Sequence, residues 1–411
     1  MLKRIAALML IYLGTVAGWI YLSKTVEIRT GKQDQNMRGA VEQLWGNAQK
    51  QQAPTVRYEG NEKNDPQTKN LKKNIRQIPL NASDVDVDLN LEYRRKGLLW
   101  YSMYQVDFSG NYQVVNNTDD EQDVVFNFML PSKSAIYDNI RFKVGDREIE
   151  DIQIKSGELI QPLTLAPNQV ENIEIRYGSR GLDEWWYKFG SDVTQVKNFS
   201  LVMHTNFDKI DFPQNSISPT SKSNQKTGKE LRWKYSNLLS GVQIGMVMPR
   251  KLNPGPWVSI VIFYAPISLF LFFFLLFVIT EVRKIKIHPM NYFFISAAFF
   301  SFHLLLAYLV DHVSIHLSFI ICSVVSIALV VSYMRLVVGK RFAFIEVGLS
   351  QFVYLVLFSY AFFFEGYTGL AVTILCITTL FIIMQFTGRV DWDKLLSREE
   401  AHPVNKIEVS T

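Results

Sequence analysis

A chain of 411 residues with 48% hydrophobic and 13% aromatic content can bury a large core, while a formal net charge of +5 is small. The Lys and Arg behind that charge flank apolar runs, and the polar part carries no basic stripe interleaved with aromatics, which excludes nucleic-acid binding. The only cysteines, Cys322 and Cys376, lie inside apolar segments, so residues 24–255 hold neither disulfides nor thiolate metal sites.

In chain order, Ile5 to Leu22 is an uncharged run of spanning length, preceded by Lys3 and Arg4 and closed by Trp19 and Tyr21 at the level of an aromatic belt. A cleaved signal peptide is the competing reading. The apolar run is long and no A-x-A-like site follows, so residues 1–23 are read as a retained transmembrane anchor. Gly14 and Gly18 form a G-x-x-x-G pair, which permits close helix approach or is a chance spacing. Residues 24–92 read as a polar stalk with one short amphipathic helix near Met37 to Gln49.

From residue 93 the period changes to two. Tyr104, Val106 and Phe108 alternate with polar neighbours, Val124 to Leu130 is a buried strand stopped by Pro131, and Val170 to Tyr177, Phe199 to His204, Leu231 to Tyr235 and Val242 to Met248 add further strands. Turn clusters such as Asn116 to Asp120 and Val144-Gly145-Asp146 separate them. Residues 93–255 are therefore expected to form a β-rich, sandwich-like periplasmic domain inserted between spans 1 and 2.

Residues 256–388 read as a five-helix transmembrane bundle. Trp257 is taken as an interface anchor, Pro266 sits within span 2, and later spans cover about 290–310, 317–333, 342–364 and 368–386. Arg283, Lys284 and Lys286, then Arg335, Lys340 and Arg341, then Arg389, Lys394 and Arg398 fall on one side with Lys3 and Arg4. The connections Asp311 to His316 and Glu365-Gly366 hold no Lys or Arg. The fold class expected is an α-helical polytopic membrane protein of about six spans, in the bacterial inner membrane, with both termini and the 389–411 tail cytoplasmic and residues 24–255 periplasmic.

Over about 281–395 the sequence resembles the CreD family of bacterial inner-membrane proteins associated with cell-envelope integrity. Ile287-His288-Pro289-Met290-Asn291-Tyr292 is similar to the family's I-H-P-[IM]-Q-Y, Leu304 to His312 to its L-L-L-x-L-S-E-H, and Gly388-Arg389-Val390-Asp391-Trp392 to its T-R-x-I-D-W. Tyr93-Arg94-Arg95-Lys96-Gly97 with Tyr104 and Gly110, and Val41 to Gln49 with Trp45-Gly46, are weaker echoes. Asn291 stands where Gln is usual and Asp311 where Glu is usual. Family-motif positions are thus His288, Pro289, Tyr292, Asp391 and Trp392. The resemblance implies a role in envelope maintenance or the envelope stress response, and it brings no catalytic residues.

Asp311, His312 and His316, with His303 about two turns earlier, form the sharpest polar cluster near the membrane. A proton relay is the functional reading; helix-end capping and packing are the structural one. Glu346 is expected to pair with Lys340 or Arg341. His288-Pro289 opens a helix, Pro suiting its first turn. Trp185-Trp186-Tyr187 is either an aromatic platform for sugars or lipid, or core. No H-E-x-x-H, G-x-S-x-G, phosphate-binding loop or paired His/Cys metal spacing occurs. The expectation is a protein without catalytic residues, metal or cofactor, in contact with the lipid bilayer and with envelope proteins or peptidoglycan. A transporter or proton-linked channel, and a periplasmic enzyme acting on an envelope component, are the alternatives; His204 would be the outer domain's only imidazole.

Overall fold

The computed structural model describes residues 2–60, 74–190, 193–364 and 366–388. The chain divides into two units, Gln35–Leu252 and the segments flanking it, Met1–Asp34 with Asn253–Thr411.

The flanking unit is helical. α1 (Leu2–Trp45), α2 (Pro254–Val282), α3 (Pro289–Leu309), α4 (Ile315–Val337), α5 (Lys340–Phe363) and α6 (Thr368–Thr387) are each long and apolar enough to cross a bilayer. Pro254 and Pro289 open their helices at the first turn, where a missing N–H costs nothing. Ser314 Oγ accepts from Leu317 N at 3.4 Å to start α4. One face of each helix enters a shared core containing Trp19, Phe272, Tyr292, Phe299, Phe302 and Leu355. The other faces carry large apolar side chains such as Phe263, Val324, Leu336, Phe344 and Phe381, exposed and therefore suited to lipid rather than water. α5 departs from regular geometry, with π-helical turns at Ala343–Gly348 and Phe352–Leu357 and a closing 3₁₀ turn at Ala361–Phe363.

Three local expectations change here. Trp19, read at an aromatic belt, is fully buried against Phe299 and His303 within a helix that runs on past it. Trp257 is buried rather than an interface anchor: its indole N–H donates to Phe362 O at 3.0 Å and its ring lies 4.3 Å from that of Phe363. Glu346 accepts from Arg283 of α2 rather than from Lys340 or Arg341.

The inserted unit is β-rich. Its strands are β1 (Gln49–Gln52), β2 (Thr55–Gly60), β3 (Asn74–Ile78), β4 (Ala82–Lys96), β5 (Leu99–Val115), β6 (Gln122–Met129), β7 (Tyr137–Val144) and β8 (Arg147–Glu148). They continue as β9 (Ile154–Lys155), β10 (Glu158–Leu165), β11 (Val170–Leu182), β12 (Glu184–Lys188), β13 (Thr194–Thr205), β14 (Ser221–Asn224), β15 (Lys229–Ser240) and β16 (Ile244–Val247). One sheet runs β14-β15-β13-β4-β5-β11-β7-β8, a second β3-β2-β6-β10-β9, and a third β1-β12-β16. Pairing is antiparallel except between β4 and β13 and between β1 and β12. Inward residues of all three sheets, among them Phe108, Phe128, Phe142, Tyr177, Trp185 and Trp233, make a single core. Trp185 and Tyr187 belong to that core, and Trp186 donates to Glu184 Oε2 at 2.9 Å, so these three residues form no exposed platform.

The expected polar stalk over 24–92 is ordered structure in its described residues. α1 continues through the helix read at Met37 to Gln49 and stops at Trp45, with Gly46 at φ +83°. β1 then turns Gln49 and Gln51, rather than apolar residues, into the interior. Gln49 Nε2 donates to Ser179 Oγ at 2.8 Å and Arg180 O at 2.7 Å, and Gln51 Oε1 accepts from Tyr177 at 2.8 Å. Polar side chains turned inward in this way carry no apolar alternation to read. In β4, by contrast, Val85, Val87 and Leu89 alternate openly with Asp84, Asp86 and Asp88.

Fully buried Tyr104 ties β1, β5 and β12 together, its hydroxyl accepting from Gln49 N at 3.2 Å and donating to Glu184 O at 2.8 Å. Removing that hydroxyl in Tyr104→Phe strands two buried groups and costs about 1–3 kcal/mol. Amide hydrogen exchange in β1 is expected to speed up roughly 5- to 150-fold, while Tyr93→Phe on the exposed end of β4 leaves it unchanged.

Candidate functional site

The turn after α3 holds Asp311, and its partner comes from the first helix. Arg29 Nη1 lies 3.1 Å from Asp311 Oδ2, Arg29 Nη2 donates to Ala307 O at 2.8 Å, and the guanidinium sits 5.3 Å from the Tyr308 ring centroid. One cation thus neutralises a carboxylate and caps a free carbonyl at the negative end of α3. Both side chains are partly shielded, at 34% and 18% exposure. Sequence reasoning missed Arg29 because it lay in the presumed stalk; an isolated Arg at the far end of a spanning helix was the available signal.

The other three predicted residues have different neighbours. His303 is fully buried in α3, with Nδ1 3.4 Å from Phe299 O and the ring edge-on to Trp19 at 5.5 Å. Its Nε2 and the Trp19 indole nitrogen are both buried and have no hydrogen-bond partner. His312 is exposed, and His316 stacks on Phe363 at 4.9 Å. Asp311 is therefore joined to Arg29, His303 to Trp19 and His316 to Phe363.

A second polar assembly crosses the helices. Gln351, fully buried between the two π-helical stretches, donates to Ser326 Oγ at 2.9 Å, and Ser326 donates to Ala298 O at 2.7 Å. Tyr354 OH and Thr379 Oγ1 are 2.7 Å apart, and Ser268 donates to Tyr354 O. These contacts join α2, α3, α4, α5 and α6. At the opposite end of the bundle from Asp311, Arg4 donates to Glu281 and Arg283 to Glu346.

The family-motif residues act as a corner. His288 is the N-cap of α3, its Nδ1 accepting from Met290 N at 3.2 Å, and Pro289 occupies the first turn. Asn291 Oδ1 accepts from Tyr333 at 2.8 Å, and buried Tyr292 packs edge-on to Phe273 at 5.4 Å. Asp391 and Trp392 lie outside the described residues. In the β-rich unit, Asp86, Asp88 and His204 are a group among the described residues whose donor atoms could converge on one metal ion.

Six apolar helices with a β-rich unit inserted between the first and second define a multi-pass membrane protein whose helices contact the lipid bilayer. Residues 259–393 match the family described as "Inner membrane protein CreD". That match starts inside α2 and runs past α6, leaving the β-rich unit outside it. A comparison with curated proteins gave no match. Among solved structures, one described as a candidate nutrient binding protein from Legionella pneumophila is similar at 10% identity and a TM-score of 0.33, covering 53% of this chain and 74% of its own. Likeness at that level carries no functional argument.

A double-mutant cycle of Arg29→Ala and Asp311→Asn, read by unfolding in detergent micelles, is expected to give a coupling of about 0.5–1 kcal/mol. A cycle pairing Arg29→Ala with His312→Ala should give none.

Proposed function

We propose that this chain maintains the bacterial envelope as an inner-membrane protein whose β-rich unit lies in the periplasm and acts by contacting envelope proteins or peptidoglycan, the helical unit serving as its anchor. The observation that carries this reading is how the polar groups of the helical unit are used. Asp311, Glu281 and Glu346 are each neutralised by an arginine of another helix, and Gln351 and Ser326 end on a backbone carbonyl. Such contacts hold helices together and give no continuous file of ionisable groups. The inserted unit, in contrast, has its own complete core and exposed faces rich in charge.

Charge distribution supports the orientation. Arg283, Lys284, Lys286, Lys340 and Arg341 cluster around the α2–α3 and α4–α5 connections, and the α3–α4 connection has none. The two ends of the first span agree with this threading: Arg4 pairs at the α2 end and Arg29 at the α3 end. Twenty-five residues of helix separate them, a rise of roughly 38 Å, which sets both guanidinium groups near headgroup depth.

Single cysteines at Ser223 and Lys286, both exposed, test the threading in a background lacking Cys322 and Cys376. An impermeant maleimide should label only position 223 in intact spheroplasts, and the opposite pattern overturns the topology. Photo-crosslinkers on the exposed faces of the inserted unit should capture envelope components. Saturable solute or proton flux in proteoliposomes, abolished by Asp311→Asn or His303→Ala, would instead establish a transporter.

A further inference from the structure

We propose that Asp86, Asp88 and His204 form a binding site for a first-row divalent transition cation, with zinc as the representative ion, on the outer face of the large sheet. Strand geometry makes the site. Asp86 and Asp88 are two residues apart on β4, so both carboxylates stand on one face, opposite the buried Val85, Val87 and Leu89. β13 pairs with β4 in parallel and in a register that sets His204 directly beside Asp88. One donor atom from each residue lies within 4.8 Å of the other two, and His204 Nε2 is 3.7 Å from Asp86 Oδ2. Donors about 2.1 Å from a tetrahedral ion stand about 3.4 Å from one another, so closure requires side-chain rotations that draw the widest pair together by up to about 1.4 Å.

The surroundings of the imidazole point the same way. Glu230, paired with His204 in the register of β15 and β13, brings Oε2 within 3.9 Å of His204 Nδ1. Gln225 donates to Nδ1 in this arrangement, and metal binding through Nε2 uses the other tautomer, with Nδ1–H directed at Glu230 Oε2. Gln225 Nε2 stands 2.9 Å from the same Nδ1 and 3.2 Å from Glu230 Oε2. For a donor proton on Nδ1 to point at Glu230, the Gln225 amide turns aside, a small motion for an exposed side chain. Arg232 interacts with Asp86 across this face, and Glu230 Oε1 holds it at 2.5 Å. Negative charge is crowded at the ligand end. Asp107 stands opposite Asp88 across the ladder on β5, adding a third carboxylate to this face. A bound dication relieves that crowding.

One imidazole and two carboxylates select the kind of ion. Imidazole nitrogen suits zinc, copper, iron or nickel, whereas magnesium and calcium prefer oxygen donors throughout. With three protein ligands on an exposed face, the remaining positions stay open to water or to a ligand from a partner. The donors come from two strands that are neighbours only through the parallel β4–β13 pairing, which explains why no metal-ligand spacing is visible along the chain.

The test uses the full chain in detergent, purified without a histidine tag and stripped with a chelator. Calorimetric titration with zinc should show one saturable equivalent, and cobalt should bind the same site with visible d–d absorption. Asp88→Asn and His204→Gln should each weaken zinc uptake at least tenfold, and Glu230→Gln roughly tenfold. Asp84→Asn, also on the outer face of β4, and the pair His312→Ala with His316→Ala should leave it unchanged. Millimolar magnesium should not compete. Absence of saturable uptake by the unsubstituted chain overturns the site. So does uptake that survives His204→Gln, or uptake lost with His312 and His316 instead.

Discussion

Hydrocarbon offers no hydrogen bonds, so every polar group carried into it must find its partner within the protein. The helical unit meets that constraint for most of its polar groups, at three levels. Regular helices satisfy most of the backbone. Hydroxyl side chains then return to carbonyls on their own helix, as Ser296 does to Phe293 O, Ser323 to Phe319 O and Thr379 to Leu375 O. The remaining polar groups are used between helices: Gln351 reaches Ser326, Ser326 reaches Ala298 O, and Trp257 reaches Phe362 O. Between apolar helices in lipid there is little hydrophobic driving force, so these few directional contacts and close ring packing fix which faces meet. The two π-helical stretches of α5 flank Gln351, and re-aiming side chains is what such insertions do.

The inserted unit solves the opposite problem. Water surrounds it, and its order comes from burying an aromatic core between sheets whose strands lie far apart in sequence. It also tolerates polar residues inside when they are hydrogen-bonded. Buried Asn116 donates to Asp120 O, Leu165 O and Ala166 O, and accepts from Thr118 N, fastening the loop between β5 and β6 to the end of β10. Gln49 and Gln51 act likewise for the third sheet. Each is an inward position that hydrophobicity alone cannot detect.

This difference decides what could be read from the sequence. A spanning helix announces itself through length and composition, properties of one contiguous segment, so all six spans were legible, and Pro289 marked the start of one of them. The β-rich character between residues 93 and 255 was legible wherever apolar residues alternate. Its beginning was placed too late: β1 turns glutamines inward, and the open alternation of Val85, Val87 and Leu89 in β4 was passed over amid the surrounding Asp, Asn and Lys. Partners across the fold were also hidden. Asp311 was identified as a polar residue at a helix end, but Arg29 belongs to a helix that the polarity of the following residues seemed to close too early. Glu346 was assigned to arginine or lysine nearby in sequence, while the structure supplies Arg283 from α2. Local proximity is a poor guide where helices meet side by side.

His303 is an intramembrane ionisable residue surrounded by aromatic rings. Its Nε2 has no partner, and neither has the Trp19 indole nitrogen whose ring lies against it; Gln351 Oε1 and Ser318 Oγ are also left over. A relay needs such groups within hydrogen-bond reach of each other in sequence. His303 instead meets the rings of Trp19, Phe299 and Phe302, and Gln351 meets Ser326. The Trp19–His303 contact joins α1 to α3 in the middle of the first span, as Ser23 with Ser259 joins α1 to α2 and the Arg29–Asp311 pair joins α1 to the turn after α3. α1 exposes much of its apolar surface, so these polar and aromatic contacts do a large share of the work of holding it to the bundle. The polar residues of the membrane half thus answer a packing question, how a thinly buried first helix stays docked, before they answer any question of transport.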